Sequence, residues 1–209
     1  MRTEGFFGED GKGWLRMSDE TGEGHPIAPG PMQEALKPTR AAVIFDRDGV
    51  LNVDRGFVGQ PERFAWMAGA RAAIGRLNRD GVLVIVATNQ SGVARGLFDE
   101  AAVARIHALM QSQLAAEGAH IDAFYVCPFH PEASVAGYRH PDHPDRKPNP
   151  GMILRAMAEW RIDPARALLV GDQDRDIEAA TRAGIRSALF PGGDLAAFLE
   201  EHWPPELAS

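Results

Sequence analysis

Asp46 and Asp48 close the apolar run of the segment VIFDRDGV, with Arg47 between them and Gly49 behind. Like charges this near raise one another's pKa unless a cation offsets the repulsion. A third acid, Asp172, follows the apolar run ALLVG. Hard carboxylate oxygens in partial coordination are what Mg²⁺ takes when waters and a phosphate fill its other positions. Thr88 and Asn89, with the N–H groups of the turn NQSG, can hold phosphate oxygens, and Lys147 supplies a point charge for the same anion. Carboxylate, magnesium, lysine and hydroxyl around one phosphoryl group point to phosphoryl transfer. Each residue alone has an ordinary reading. A strand-end Asp is usually a solvated turn residue, Asp-Gly is a routine turn, and Lys147 would be a surface charge. Asp174 and Asp176 lie where a helix starts, so capping is the ordinary role for them.

The chemistry requires elements that bring these residues together. AAVIF, VLVIVAT, IDAFYV, ALLVG and RSALF are short apolar runs suited to five buried strands. ARAAIGRLNRDG puts Ala70, Ala73, Ile74 and Leu77 on one helical face and stops at Gly81. The helix after Asp99, its expected N-cap, keeps Val103, Ile106, Met110 and Leu114 on one stripe. Further helices are expected near 150–160 and 174–183, and a last short one in DLAAFLEEHW. Strands alternating with helices predict an α/β fold, a doubly wound, mostly parallel Rossmann-type sheet with helices on both faces. Ligands of such sheets bind at the carboxyl ends of the strands. Asp46, Asp48, Thr88, Lys147 and Asp172 would then share one rim.

Residues 1–40 carry seven glycines and four prolines and show no helical or strand period, which predicts an extended N-terminal arm ahead of a domain at 41–209. Phe6, Phe7, Trp14 and Leu15 would be odd in a fully solvated arm. The 209 residues are 44% hydrophobic and 24% charged, an ordinary globular mixture. A formal charge of -7 argues against a nucleic-acid surface, which needs clustered Lys and Arg. The single cysteine, Cys127, excludes an internal disulfide and suits a reducing cytosol. The first 31 residues lack the apolar core expected of a signal peptide, and no run approaches the ~18 apolar residues a membrane span needs. The expectation is a cytoplasmic monomer acting on a small phosphorylated molecule, without nucleic-acid or membrane partners.

DRDGV after a strand, ATNQSG, RKPNPGM and VGDQDRD resemble, in order, the four motifs of the haloacid dehalogenase (HAD) superfamily of phosphatases. Within it, FDRDGVLNVDRGFV, TNQSGVARG, CPFHPE and RKPNPGM are similar to the D-glycero-D-manno-heptose 1,7-bisphosphate 7-phosphatases and their siblings, the histidinol-phosphatases. The similarity runs from about residue 41 to 190 and leaves the arm uncovered. It implies Asp46 as nucleophile, forming an aspartyl-phosphate, and Asp48 as the acid and then the base. It implies Mg²⁺ on the Asp46 carboxylate, the Asp48 backbone carbonyl and the Asp172 carboxylate, with Asp176 supporting the metal from behind. Thr88 and Lys147 would hold the transferring group.

Many members of the superfamily carry a cap domain. Here VDRGFVGQPERFAWM after the first strand and PFHPEASVAGYRHPDHPD after the third are too short for one, so no cap domain is expected. An uncapped site suits a substrate large enough to close the mouth itself. Asn52, Asp54, Phe57, Asn89, Ser91, Arg95 and Arg146 are placed to meet that substrate, Arg146 by gripping a second phosphate bidentately.

The resembling enzymes hold a structural zinc in the second loop through Cys-x-His and Cys-x-Cys. Phe129 stands where the histidine would be, and His143 and Asp145 where two cysteines would be. Cys127, His130, His140, His143 and Asp145 still offer zinc-type ligands at shifted spacing. The alternative is a zinc-free loop held by Pro128, Pro131, Pro141, Pro144 and Pro148, and this is the reading preferred here. A second departure is Gln173, where the family usually has lysine. The resemblance favours the heptose bisphosphatase activity. Histidinol-phosphate hydrolysis, which would favour an acidic contact for the substrate's ammonium, and a catalytically lapsed binding module of the same fold are the alternatives.

Overall fold

The computed structural model describes residues 5–7, 13–15 and 40–203. The chain divides into two units, Met1–Lys37 and Pro38–Ser209, each described by itself. In the first, β1 (Gly5–Phe7) and β2 (Gly13–Leu15) pair antiparallel with Gly5 opposite Leu15. Strands of three residues are too short to print an alternation, which is why this ladder has no signature in the sequence. The rest of the predicted arm lies outside the described residues.

In the second unit, β3 (Arg40–Phe45), β4 (Leu83–Asn89), β5 (Ala123–Cys127), β6 (Ile162–Gly171) and β7 (Arg186–Leu189) form one sheet. Its order is β5-β4-β3-β6-β7, and every pairing is parallel. Ala42, Val43, Ile44 and Phe45 are all fully buried, because the central strand has helices on both faces. Phe45 lies beside Val86 of β4 and Val170 of β6. From β3 the chain runs outward to β5 and then returns across β3 to β6. The carboxyl end of β3 is therefore the topological switch point, where a crevice opens.

The helices are α1 (Ala70–Arg79), α2 (Ser91–Ala94), α3 (Glu100–Ala115), α4 (Gly151–Trp160), α5 (Asp174–Ala183) and α6 (Leu195–His202). Ile74 and Leu77 of α1, Ile106, Met110 and Leu114 of α3, and Leu195 and Leu199 of α6 share a core with Val43, Phe45, Val84 and Val86. Met152, Ile153 and Ala156 of α4 and Ala179 and Ala180 of α5 pack on the opposite face with Ala42, Ile44, Leu83 and Ile85. The apolar spacing of each helix thus sets which side of the sheet it covers. Asp99 caps α3 as expected, accepting from the Ala102 N–H at 2.7 Å.

The four-residue α2 is too short to carry a period and was not legible. β6 begins at Ile162, ahead of the apolar run, because Ile162 pairs with Arg40 across an irregularity. Between β3 and α1 lies a flap with one 3₁₀ turn, Pro61–Arg63, and between β5 and α4 a loop with another, Ala136–Tyr138. No helix among the described residues is long and apolar enough to cross a membrane.

Ile44 is buried in the central strand, whereas the Asp99 cap acts at one exposed helix end. Ile44→Ala should cost about 3 kcal/mol of unfolding free energy. Asp99→Ala should cost about 1 kcal/mol. Urea titrations compare the two, and equal costs would contradict the placement of Ile44 in the core.

Candidate active site

Asp46 continues the β3 ladder, donating its N–H to the Val170 carbonyl at 2.9 Å, so the sheet itself fixes its backbone. Lys147 comes from the loop after β5 and is locked by Asn89. The Asn89 Nδ2 donates to the Lys147 carbonyl at 3.0 Å, and the Lys147 N–H donates back to Oδ1 at 3.1 Å. Asn89, expected as a substrate contact, is here bonded to the main chain of the lysine. The Lys147 Nζ lies 2.9 Å from Asp46 Oδ1 and 2.6 Å from Asp176 Oδ1, with all three side chains buried. Burial opposes the lysine's charge, but Asp46 and Asp176 outweigh it and hold the ammonium above its ordinary range. Burial pushes the Asp46 carboxyl up to about 6; Lys147 pulls it back, while Asp176 and Asp48 push it further.

One oxygen each from Asp46, Asp172 and Asp176 lies within 4.8 Å of the others. Asp172 Oδ1 is buried without a hydrogen-bond partner, while Oδ2 accepts from the Gln173 Nε2 at 2.9 Å. Three carboxylates facing one ammonium leave an excess negative charge that a divalent cation would neutralise. Oxygen-only donors with room for further ligands suit Mg²⁺. Asp176 is drawn away from that role, with Oδ1 on Lys147 and Oδ2 accepting from the Gln173 N–H at 3.1 Å as part of the α5 capping box. Asp46 and Asp172 are the better ligands. Gly49, at φ +87, lets the turn pass against Asp172, where any Cβ would collide with the carboxylate.

Asp48 faces a different set of partners. Arg47 Nη2 donates to its Oδ2 at 2.9 Å and its Oδ1 at 3.1 Å, Asn52 Nδ2 to Oδ1 at 2.9 Å, and Gln90 Nε2 to Oδ2 at 2.8 Å. Asn52, expected as a substrate contact, is fully buried with its amide nitrogen on Asp48. Thr88 Oγ1 accepts from the same Gln90 amide at 2.9 Å. Arg47, fully buried, also faces His107 Nε2 at 3.5 Å. Burial, followed by the Arg47 charge, lowers His107 to about 3 despite Asp48, so its ring is neutral and accepts from the guanidinium. Arg47, Gln90 and His107 had no role in the sequence reading. Arg47 stood between the two acids and Gln90 inside a phosphate-loop motif, but nothing in their spacing says that both are buried.

At the mouth, Asp54 Oδ1 accepts from the Gly56 N–H at 2.7 Å in a local turn. Phe57 is half exposed, at φ +51, and the Arg95 guanidinium lies 5.9 Å over its ring. Ser91 opens α2, and Arg95 Nη2 reaches His130 Nε2 at 3.4 Å. Burial, then the charges of Arg146 and Arg95, lowers the His130 pKa, with Glu132 opposing. Arg146 donates to the Phe129 carbonyl at 3.1 Å; burial lowers its pKa, with Arg175 and Arg95 acting in the same direction against Cys127. The mouth is therefore rich in cations. Arg175, unforeseen in the sequence, brings charge near the site where Gln173 lacks it.

Cys127 is buried, with Sγ 4.0 Å from His143 Nδ1. The Nδ1 atoms of His130, His140 and His143 each accept from the backbone N–H two residues on, that of Glu132, Asp142 and Asp145 respectively. Asp145 pairs with Arg155 at 2.8 Å. Among the described residues, the acid cluster of Asp46, Asp172 and Asp176 is the one group of three such side chains close enough to share an ion.

A parallel sheet with a buried carboxylate at its switch point, a buried lysine and an acid cluster able to hold a divalent ion fits a phosphatase of the HAD-like hydrolases, and a HAD-hydrolase-like family model matches residues 145–207. The chain is 44% identical over 80% of its length to a D-glycero-β-D-manno-heptose-1,7-bisphosphate 7-phosphatase of Rhodopseudomonas palustris, 92% of which is covered. It is 42% identical over 71% of its length to the α-named enzyme of Burkholderia mallei, of which 78% is covered. A crystal structure of D,D-heptose 1,7-bisphosphate phosphatase from B. bronchiseptica, complexed with magnesium and phosphate, superimposes with a TM-score of 0.65. It is 38% identical, with 79% of this chain and 89% of that one covered. The chain belongs to the D-glycero-D-manno-heptose-1,7-bisphosphate 7-phosphatase family of HAD-type phosphatases.

The unfolded chain can protonate His107 near its ordinary 6.5, whereas the folded protein resists until about 3. The unfolded state then binds more protons between these values, so stability present above 6.5 is lost as pH falls. The slope should approach ~1.4 kcal/mol per pH unit. In His107→Gln that part of the slope should vanish, as read from urea midpoints across this window. An unchanged slope would show that His107 protonates freely in the folded protein.

Proposed function

We propose that the chain is a magnesium-dependent phosphatase that removes the 7-phosphate of D-glycero-D-manno-heptose 1,7-bisphosphate in the cytoplasm. The observation that carries the chemistry is the buried Asp46–Lys147–Asp176 arrangement beside Asp172. The substrate rests on the names of relatives at 38–44% identity and on the cationic mouth. Asp46 attacks phosphorus with a carboxylate oxygen while the bond to the sugar oxygen breaks. Asp48 gives the leaving oxygen its proton. Water then attacks the aspartyl-phosphate, Asp48 takes the water's proton, and Asp46 is released with inorganic phosphate. Lys147 and Thr88 hold phosphoryl oxygens in line with the attack. A magnesium ion bound to Asp46, Asp172 and the Asp48 carbonyl would neutralise charge on the phosphoryl group.

Arg95 and Arg146 favour a second phosphate over the ammonium of histidinol phosphate, because a guanidinium repels a cation and can grip a phosphate bidentately. The open mouth leaves alignment to the substrate's own remote groups, so small monoesters lack the binding that orients their phosphoryl group. Phosphate release with magnesium should favour the heptose bisphosphate over histidinol phosphate and glycerol phosphate by ~100-fold or more in kcat/KM. Asp46→Asn should fall below ~1% of wild-type turnover and trap no phosphoenzyme. Equal rates on all three substrates would overturn the substrate assignment. Substantial turnover by Asp46→Asn would overturn the nucleophile.

The loop from Cys127 to Lys147 is read as working without structural zinc. The Phe129 ring stacks on His143 at 4.0 Å with planes 6° apart, and meets Tyr138 and His140 edge-on. Burial raises the Cys127 thiol pKa, against the thiolate form that metals bind. Ring packing thus occupies the ground where the family's ligands would converge. Protein purified without added metal should carry well under one zinc per chain. Activity should return in full when magnesium alone follows chelation. One tightly bound zinc per chain, needed for recovery, would reverse this reading.

A further inference from the structure

Gln90 has two donors and an acceptor, and all three are engaged at once. Its Nε2 donates to Asp48 Oδ2 at 2.8 Å and to Thr88 Oγ1 at 2.9 Å, while its Oε1 accepts from Arg47 Nη2 at 3.1 Å. Arg47 has only donors, so the amide oxygen must face it and the amide nitrogen must face the two site residues. The orientation is therefore set by chemistry. The main chain of Gln90 is pinned as well, its N–H donating to the Cys127 carbonyl at 2.8 Å.

Arg47 is held in turn. Nη2 also donates to the Val58 carbonyl at 3.1 Å, and Nη1 faces His107, whose ring stacks on Phe124 at 4.1 Å with planes 15° apart. The guanidinium is fully buried and Gln90 is 3% exposed, so water does not compete for these bonds. Arg47 Nε is buried without a partner, but the Nη2 bonds to Asp48, Gln90 and Val58 fix the guanidinium in place. Asp48 and Thr88 come from different strand ends, and among the described residues Gln90 is the side chain bonded to both.

We propose that Gln90, fixed by Arg47, is a positioning residue that aims the Asp48 carboxylate at the phosphoryl group held by Thr88. It touches neither substrate nor metal. This rests on the proposed acid–base role of Asp48, and its signature lies in which half of the reaction suffers. With p-nitrophenyl phosphate, Asp46 forms its bond to phosphorus as the aryl P–O bond breaks. Nitrophenolate leaves with the bonding pair and needs no proton. The second half still needs Asp48, because the attacking water must lose its proton as the Asp46–phosphorus bond breaks. A misaimed Asp48 should therefore spare the first half and slow the second.

The test compares wild type, Gln90→Met, Gln90→Glu and Asp48→Asn with magnesium present, by stopped-flow release of nitrophenolate and acid-quenched phosphoenzyme. Met keeps the length and removes the donors; Glu keeps the shape and the acceptor toward Arg47 while turning an acceptor toward Asp48. Both Gln90 variants should lose ~10–100-fold in kcat, with KM falling in step, so that kcat/KM, which reports the first half, stays within about threefold. Both should show a nitrophenolate burst approaching one per site, matched by trapped phosphoenzyme. Should Gln90→Met fail to fold, the nearly isosteric Gln90→Glu carries the test alone. Loss of turnover without burst or phosphoenzyme would mark a merely structural role and overturn the proposal. So would wild-type turnover in folded Gln90 variants while Asp48→Asn is impaired. Wild-type turnover in Asp48→Asn would instead overturn the acid–base reading beneath it.

Discussion

A lysine ammonium with no exposed surface, held between two buried carboxylates, sets the terms for the rest of this molecule. The Lys147 Nζ is within 3 Å of both Asp46 and Asp176, and none of the three can return to water without unfolding the rim. Taking such charges out of solvent costs several kcal/mol per ion, which only close partners offset. Every surrounding element contributes to that offset. The sheet holds Asp46 through Val170, the capping box of α5 holds Asp176 through Gln173, and Asn89 holds the lysine's own main chain. Gly171 lets Asp176 lie against the end of β6, where a Cβ would collide with it.

A second buried cation does different work a few ångströms away. Lys147 faces Asp46, one of three acids grouped closely enough to share an ion, while Arg47 faces Asp48. Two adjacent carboxylates thus have separate cations. Lysine places a compact charge where one oxygen of each acid converges. Arginine aims one nitrogen, Nη2, at Asp48, Gln90 and the Val58 carbonyl, and the other, Nη1, at His107. Burial, then Lys147 and Asp176, weigh more on the Asp46 pKa than Asp48, which still raises it.

How much of this was legible depends on whether the physics is local. The unbroken apolar run of β3 could only be a strand covered on both sides, and the stripes on α1 and α3 could only face a core, so the layers were readable. With the layers came the rim, since strands of a parallel sheet end on the same side. Asp46, Lys147 and Asp172 converge there as the sequence order implied. Capping is local too, and Asp99 was found by its place before a stripe.

Side-chain direction is not local, and it was decided by the tertiary structure. Asn52 and Asn89 have the chemistry of substrate contacts, yet the fold turns one onto Asp48 and the other onto the backbone of Lys147. Arg47 would be a surface charge in most chains, but the flap carbonyl of Val58, 11 residues on, and His107 of α3, 60 residues on, enclose it. The loop after Cys127 shows the same limit, because spacing lists the available ligands while packing decides whether rings stack or converge on an ion. The sequence by itself determined which groups reach the rim, because strands that alternate with helices run parallel and so end on one side. Only the fold decided which of them face the substrate and which hold the others in place, because that depends on desolvation and on partners far apart in the chain.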